Sequence, residues 1–457
     1  MAQLPPEFAS RMQAQLQDAY PAFLEALNTP PPVSIRLNPA KPCTLPYPES
    51  DPVPWHPQGR YLPERPIFTL DPLFHAGAYY VQEASSMVIA EAVRQTVDLS
   101  APLRVLDLCG APGGKSTLLA ALLSPQSLLI ANEVIQTRAA ILRENLQRWG
   151  NANTWLANHD TQDFLPLGAS FDLILVDAPC SGEGLFRKDP GAIQEWSPDN
   201  VQLCAGRQRR ILANAVQLLQ PGGVLLYSTC TYNAMENDQN ASWLEQDQQL
   251  SPIPLTLAVE WGMEQRGSGV QCYPHQVRGE GFYLAAFRKP GVPAKQVSRK
   301  KKKKGGLADW VPIEKSWVPT IEKWWSKREE ETLWFREGKG ITPIPTTQQT
   351  FLLEAVTTLK RLQPSLWIGE MLGPKKFIPH HSLALTTRAS RKLTRWEVDK
   401  QDALQFLRKD PIAAQPPQQG WLLVTYQGLG LGWVKALPNR VNNKLPKTWR
   451  IRMRVES

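Results

Sequence analysis

Apolar residues recur at helical spacing over the first stretch of the chain: Phe8, Met12, Leu16 and Tyr20, then Phe23, Leu24 and Leu27. This spacing predicts amphipathic helix with one face turned inward. The pattern stops at Pro30-Pro31-Pro32, which cannot continue a helix. A proline-rich connection is expected from there to about residue 70.

Between residues 100 and 230 the pattern changes. Short apolar runs at Leu103–Leu108, Leu128–Ala131, Phe171–Val176 and Val224–Tyr227 alternate with helical patterns at Lys115–Leu123, Gln136–Trp149 and Asn200–Leu219. Such βαβα alternation predicts an α/β unit, a mostly parallel sheet covered by helices on both faces. Ligands then belong in the crevice at the carboxyl ends of the strands. Further on, Trp421–Tyr426 and Gly428–Val434 read as short strands around a glycine turn, a small β-rich terminal domain. No internal repeat is visible.

Composition adds compartment and partner. No apolar run approaches the roughly 20 residues of a membrane span. Met1–Pro6 has neither a basic start nor a long apolar stretch, so no secretory signal is expected. The six cysteines form no CxxC pair, so no metal site is expected and free thiols in a reducing cytoplasm are the simplest setting. Residues 291–457 hold 31 basic and 14 acidic side chains, a net of +17, whereas residues 1–290 carry a net of −8. A basic tail on an acidic body predicts an appended polyanion-binding element, nucleic acid above all. Its joint is Arg299–Lys304, where five consecutive lysines repel one another and read as linker.

The candidate chemistry starts at Leu106-Asp107-Leu108-Cys109-Gly110-Ala111-Pro112-Gly113-Gly114-Lys115-Ser116, a strand running through a glycine turn into a helix. A P-loop needs GxxxxGK[ST]; here Gly110 to Gly114 is one residue short and Cys109 replaces the first glycine. The dinucleotide GxGxxG pattern is absent too. An adenosyl ligand without phosphates remains, held by a tight turn and a carboxylate for its ribose. Glu133, at the end of the second strand, supplies that carboxylate. Asp160, read as the end of the third strand, is a candidate acceptor for the adenine amino group. The competing reading has both acids capping helices or loops.

Two more strand ends carry unusual residues: Asp177-Ala178-Pro179-Cys180-Ser181-Gly182 and Ser228-Thr229-Cys230-Thr231-Tyr232. Both should open onto the same crevice. A free cysteine is more often a small buried hydrophobe, and that reading is kept for Cys43, Cys204 and Cys272. Cys109 is expected to line the cofactor turn without reacting.

These three stretches, in this order, resemble the Nop/Sun family of RNA cytosine-5 methyltransferases, most of all its bacterial RsmF (YebU) group. Gly77–Met87 is similar to that family's lead-in to the core, and Trp367–Phe377 and Gly420–Arg454 to its C-terminal extension with a PUA-like fold. The resemblance implies a Rossmann-like, S-adenosylmethionine-dependent core. It implies the following organisation: an RNA-contacting region at 1–70, the methyltransferase domain at 71–290, a basic linker at 291–310, an intermediate region at 311–380 and a PUA-like RNA-binding domain at 381–457.

It also implies roles. Carbon 5 of cytosine is too poor a nucleophile to take a methyl group until a thiolate adds at carbon 6, which is covalent catalysis. The resemblance gives that thiolate to Cys230, product release to Cys180, and contact with the cytosine ring nitrogen and amino group to Asp177. In DNA cytosine methyltransferases the nucleophile follows a proline, which makes Cys180 the rival. The cofactor falls to Cys109, Gly110, Ala111, Pro112, Gly113, Gly114, Lys115, Glu133, Arg138, Asp160 and Asp177. Lys115 and Arg138 read equally well as exposed helix residues. Ser34–Asn38 resembles an RNA-contacting segment, or else is an ordinary strand. The substrate implied is small-subunit ribosomal RNA, naked or in the assembled subunit, modified by a monomer. Transfer RNA as substrate, a non-catalytic assembly factor and a P-loop NTPase are the alternatives.

Overall fold

A computed structural model describes residues 4–292, 310–326 and 332–453; the lysine run and most of the expected linker lie outside the described residues. Its centre is a ten-stranded sheet. Five parallel strands run side by side in the order Thr154–Ala157, Leu128–Asn132, Arg104–Asp107, Phe171–Asp177, Leu219–Thr229. Alternate residues feed two separate cores. Leu106, Ile130, Trp155, Ile174 and Leu225 face one way; Val105, Leu129, Leu173, Leu175 and Leu226 face the other, toward the helices Ile89–Thr96 and Gly114–Leu122. Both faces are dry, so the strands read as unbroken apolar runs. Each buried Leu or Ile side chain contributes about 1.5–3 kcal/mol.

Arg104–Asp107 has the next strand in the chain on one side and Phe171–Asp177 on the other. The strand order therefore reverses there, and the crevice of this topology opens beyond Asp107. Antiparallel strands extend both edges: Phe282–Arg288 lies against Leu219–Thr229, and Leu362–Pro364 against Thr154–Ala157.

The helices Pro6–Leu16 and Tyr20–Leu27 bury Phe8, Met12 and Phe23 against Phe186, Trp196, Tyr232 and Tyr273. The expected proline-rich connection is instead a four-stranded antiparallel sheet, ordered Asp51–Val53, His56–Leu62, Val33–Leu37, Tyr79–Val81. Proline is tolerated on the edge strand, where Pro52 sits. Ser34, Arg36 and Asn38 do not face outward. Arg36 is 1% exposed; it donates to Gln82 Oε1 (2.7 Å) and Thr117 Oγ1 (2.6 Å) and lies over the Trp149 ring. Asn38 Nδ2 donates to Gly77 O and Trp149 O. This segment bolts the N-terminal sheet to the core, and its RNA-contacting reading is withdrawn.

The region after residue 310 does not stand apart from the core. Trp310 packs on Trp155 at 5.2 Å and stacks on Trp367. The helix Gln349–Thr358 buries Phe351, Leu352 and Ala355 in the same core as Ile174. The last sheet joins Arg395–Glu397, Gly420–Tyr426, Leu429–Leu437 and Arg440–Asn443. Its hairpin turns at Gln427 (φ 48°) and Gly428 (φ 73°), the pair of positive φ angles that suits twisted strands.

Candidate active site

The turn after Arg104–Asp107 is shaped from within. Ser116 Oγ donates to Asp107 Oδ2 at 2.6 Å and ties the helix start to the strand end. A Cβ on Gly110 would come to 2.7 Å from Ser116 Oγ, and Gly113 (φ 119°) lies against Asn145 and Leu142. These glycines are required by the turn's own packing, ahead of any ligand. Asn145 Nδ2 donates to Pro112 O (2.7 Å) and Arg138 to Ala111 O (3.0 Å). Arg138 also approaches Glu133 Oε2 at 3.4 Å, so it braces the turn and the acid together.

Glu133 follows the strand Leu128–Asn132 directly; it is buried and accepts from Ile135 N. Val134 and Ile135 beside it are exposed at 57% and 50%. They offer a flat ring an apolar wall where the sequence pattern marked only the acid. Asp160 is not a strand end. Its strand stops at Ala157, and Asp160 caps the short helix Thr161–Leu167 through Gln162 N. Its carboxylate also holds Arg210 at 2.8 and 3.0 Å, so an adenine amino group would have to share it.

The two thiols meet. Cys180 Sγ and Cys230 Sγ are 3.2 Å apart, both partly exposed, on loops at the carboxyl ends of neighbouring parallel strands. Their mutual hydrogen bond and then burial push the Cys180 thiol well above its usual pKa. Beside them, Asp177 accepts from Ser228 Oγ (2.8 Å) and from Lys115 Nζ (2.8 Å). Burial pulls Lys115 down, but Asp177, with Cys230 and Asp107 behind it, outweighs this and leaves Lys115 raised, hence protonated.

Both loops are held by buried acids. Glu236 accepts from Ser181 N (2.9 Å), from Ser181 Oγ and from Gln208 Nε2 (3.0 Å). Glu183 takes Trp196 Nε1 (3.0 Å) and Tyr232 N (3.2 Å), and pairs with Arg11 of the first helix at 2.6 Å. Gly184 N donates to Cys230 O at 2.9 Å; a Cβ there would strike Cys230 O and Gly281 O. The thiols' separation is thus set by a network that ends in the N-terminal helix.

Comparison with known proteins bears on this arrangement. A family model described as 16S rRNA methyltransferase RsmB/F matches residues 95–288. The N-terminal domain of 16S rRNA methyltransferase RsmF matches 4–84, and the methyltransferase RsmF PUA domain matches 394–451. Ribosomal RNA small subunit methyltransferase F of Pectobacterium atrosepticum is 30% identical over 471 residues, covering 98% of this chain and 96% of its own. The Salmonella agona protein of the same name is 31% identical over 484 residues, covering 98% and 97%. The chain belongs to the RsmF family of small-subunit ribosomal RNA methyltransferases. Among solved structures, a methyltransferase homolog protein from Pyrococcus horikoshii is 28% identical with a TM-score of 0.52, covering 63% of this chain and 100% of that one. NSun6 from the same organism, solved with SFG, shares the fold at a TM-score of 0.54 and 21% identity, covering 63% and 99%.

RsmF-family methyltransferases use S-adenosylmethionine, and the residues present fit it. Asp107, Asp177 and Glu133 all bear on Cys109, which burial and these three charges push far up. Burial likewise raises Asp107 to about 7. Lys115, paired with Asp177 at 2.8 Å, is not free for a phosphate, and the acids Glu133 and Asp177 beside the turn suit a sulfonium cation better than a phosphate. The P-loop reading therefore fails on its lysine as well as on spacing. The described residues include no group of three or more His, Cys, Asp or Glu able to hold a metal. No helix among them is long and apolar enough to cross a membrane.

Proposed function

We infer that this chain methylates carbon 5 of a cytosine in 16S ribosomal RNA through a covalent bond to Cys230. The observation that carries the reading is the pair of thiols 3.2 Å apart beside the Lys115–Asp177 pair. One thiol suffices to attack a ring; two in contact suit a reaction that must both make and undo the bond.

The cofactor, held by the Cys109–Lys115 turn, Glu133 and Arg138, supplies an electrophilic methyl group. Asp177 accepts from the amino group of the flipped cytosine and from its ring nitrogen, which takes a proton from the adjacent Lys115 as the thiolate adds and returns it when the thiolate leaves. Cys230 thiolate adds to carbon 6 and breaks the 5,6 double bond, which leaves carbon 5 nucleophilic. After methylation, Cys180 gives its own proton to water and, as thiolate, takes the carbon-5 proton. The electron pair of that C–H bond restores the double bond and expels Cys230 as thiolate. The raised pKa of Cys180 keeps it a thiol at rest, hence a poor standing nucleophile, and makes its thiolate a strong base once formed, in line with this division. The base must leave its stack to reach these groups, so locally opened RNA is the substrate form. The free thiols and a ribosomal substrate fit a cytoplasmic setting.

Transfer from tritiated S-adenosylmethionine to 16S RNA and to small subunits tests this. Cys230→Ala is expected to lose turnover by more than about 10³-fold while cofactor binding persists. Cys180→Ala is expected to accumulate a covalent RNA–protein adduct on a denaturing gel. Turnover retained in Cys230→Ala would move the nucleophile to Cys180. Label on transfer RNA alone would move the substrate, and no label on any RNA would leave a binding role.

A further inference from the structure

A second concave surface lies apart from the thiols, where the N-terminal sheet meets the helix Gln136–Trp149. This cleft, of about 560 Å³, is lined by Arg65, Ile67, Phe68, Phe74, Tyr80 and Asn145 among others. Its volume is within the about 300–1,000 Å³ of ligand pockets, and three of these six side chains are aromatic. Its floor reaches the cofactor turn. Asn145 donates to Pro112 O, and the Tyr80 ring sits so near Gly114 that a Cβ there would lie 3.4 Å from it.

The rim is cationic. The Arg65 guanidinium is exposed, 5.6 Å from the Phe68 ring centre. Arg148 lies between two rings, 4.7 Å from Phe74 and 5.3 Å from Trp449. Trp449 brings the C-terminal end of the chain to this edge, where Met453 Sδ meets Thr69 Oγ1 at 4.0 Å. Lys447, Arg450 and Arg452 of that end are exposed. Lys444, Lys447 and Arg450 cluster closely enough that, after burial, they lower the pKa of Lys409. Glu144 offsets part of the Arg148 charge. Flat aromatic faces ringed by cations match a nucleobase with its phosphates. A protein ligand would call for a broader apolar rim, and Ile67, 58% exposed, is the large exposed apolar side chain lining the cleft.

The geometry points to a second nucleotide subsite: the cleft takes one unpaired base of the substrate RNA, stacked on Phe74 and Tyr80, with its flanking phosphates on Arg65, Arg450 and Arg452. This rests on RNA being the substrate. A bound base there would lie between the basic C-terminal end and the edge of the cofactor turn.

The test uses the full chain, with 16S RNA and small subunits as methyl acceptors. Arg65→Glu and Ile67→Ser alter exposed side chains, and Phe74→Leu removes the ring but keeps apolar bulk. For Arg65→Glu and Phe74→Leu the KM for RNA is expected to rise about tenfold, the equivalent of one stacked base or one phosphate contact. Ile67→Ser should raise it less, with kcat within about twofold of the parent and cofactor affinity unchanged in all three. RNA carrying 4-thiouridine is expected to photo-crosslink within residues 65–81. An unchanged KM in all three variants, with no crosslink there in a parent enzyme that methylates 16S RNA, overturns the subsite alone. Capture of a ribosomal protein instead of RNA at 65–81 overturns it too. A parent enzyme that labels no RNA overturns the substrate reading beneath it.

Discussion

At the scale of single residues, the position of the paired thiols depends on groups that touch neither of them. Glu236 is fully buried and anchors Ser181, the neighbour of Cys180, through both its main-chain N–H and its hydroxyl. Ser181 N–H and Gln208 Nε2 share one carboxylate oxygen, and Ser181 Oγ donates to the other. A glutamine there can keep its carbonyl on the two N–H groups, but its amide forces Ser181 Oγ to reverse from donor to acceptor. Three bonds to a charged group also become bonds to a neutral one; the former are worth about 1.5–3 kcal/mol each, the latter about 0.5–1.5. Glu236→Gln is therefore expected to lower the melting temperature and to reduce kcat by tens-fold. Cofactor affinity, measured by calorimetry, should hold, since the turn at Cys109–Lys115 is tied down separately by Ser116, Asn145 and Arg138. A kcat equal to the parent's would show that the loop keeps its shape without this carboxylate. Asp160 teaches the reverse lesson: a carboxylate in the right stretch of sequence is already engaged by Arg210, a partner fifty positions away.

At the scale of elements, the N-terminal sheet is held to the core by buried charge. Lys41 is 3% exposed and donates to Ala76 O (2.8 Å) and Arg148 O (2.6 Å). Burial, and then the Arg148 cation, lower its pKa to about 7. In the unfolded chain a lysine titrates near 10.4. Below pH 7 both states carry the charge, and the folded state bears the full penalty of burying it. Between about 7 and 10.4 the folded lysine has lost its proton while the unfolded one keeps it, so stability rises with pH in that window. The neutral amine goes on donating to both carbonyls. Lys41→Met removes this rise: the stability difference between parent and variant should change by on the order of 2 kcal/mol between pH 7 and 9. Urea denaturation at three pH values measures it, and a constant difference would mean that Lys41 stays protonated in the fold.

At the scale of the molecule, the basic C-terminal part is also part of the enzyme's core. Leu362–Pro364 covers the sheet edge at Thr154–Ala157, and Phe351 packs edge-on against Phe171. Ending the chain at residue 292 would strip this cover, bare Trp155 and free a sheet edge. The nine buried apolar side chains this part adds to that core, from Trp310 to Leu362, would be lost. At about 1.5–3 kcal/mol for each large one, the total exceeds about 10 kcal/mol. The fragment 1–292 is expected to unfold at a much lower temperature than the full chain, or to aggregate, and to lose cofactor binding along with RNA binding. A fragment that melts within about 2 °C of the parent would restore the view of this part as a mere appendage.

What the residue order determined by itself were the features built from neighbours: the strand–turn–helix at Asp107–Ser116, the parallel strands with both faces apolar, and the cysteine-bearing loops after Val176 and Tyr227. Local spacing suffices for these, because turn geometry and side-chain period act over a few residues. Only the tertiary structure decided that residues 33–81 form a sheet despite their prolines, and that Arg36 points inward onto Gln82 and Thr117. It also decided that Leu362–Pro364 closes the catalytic sheet and that Arg11 reaches Glu183. Each of these rests on a partner tens to hundreds of positions away, and a charged or proline-rich segment reads as surface until the group that buries or pairs it is in place.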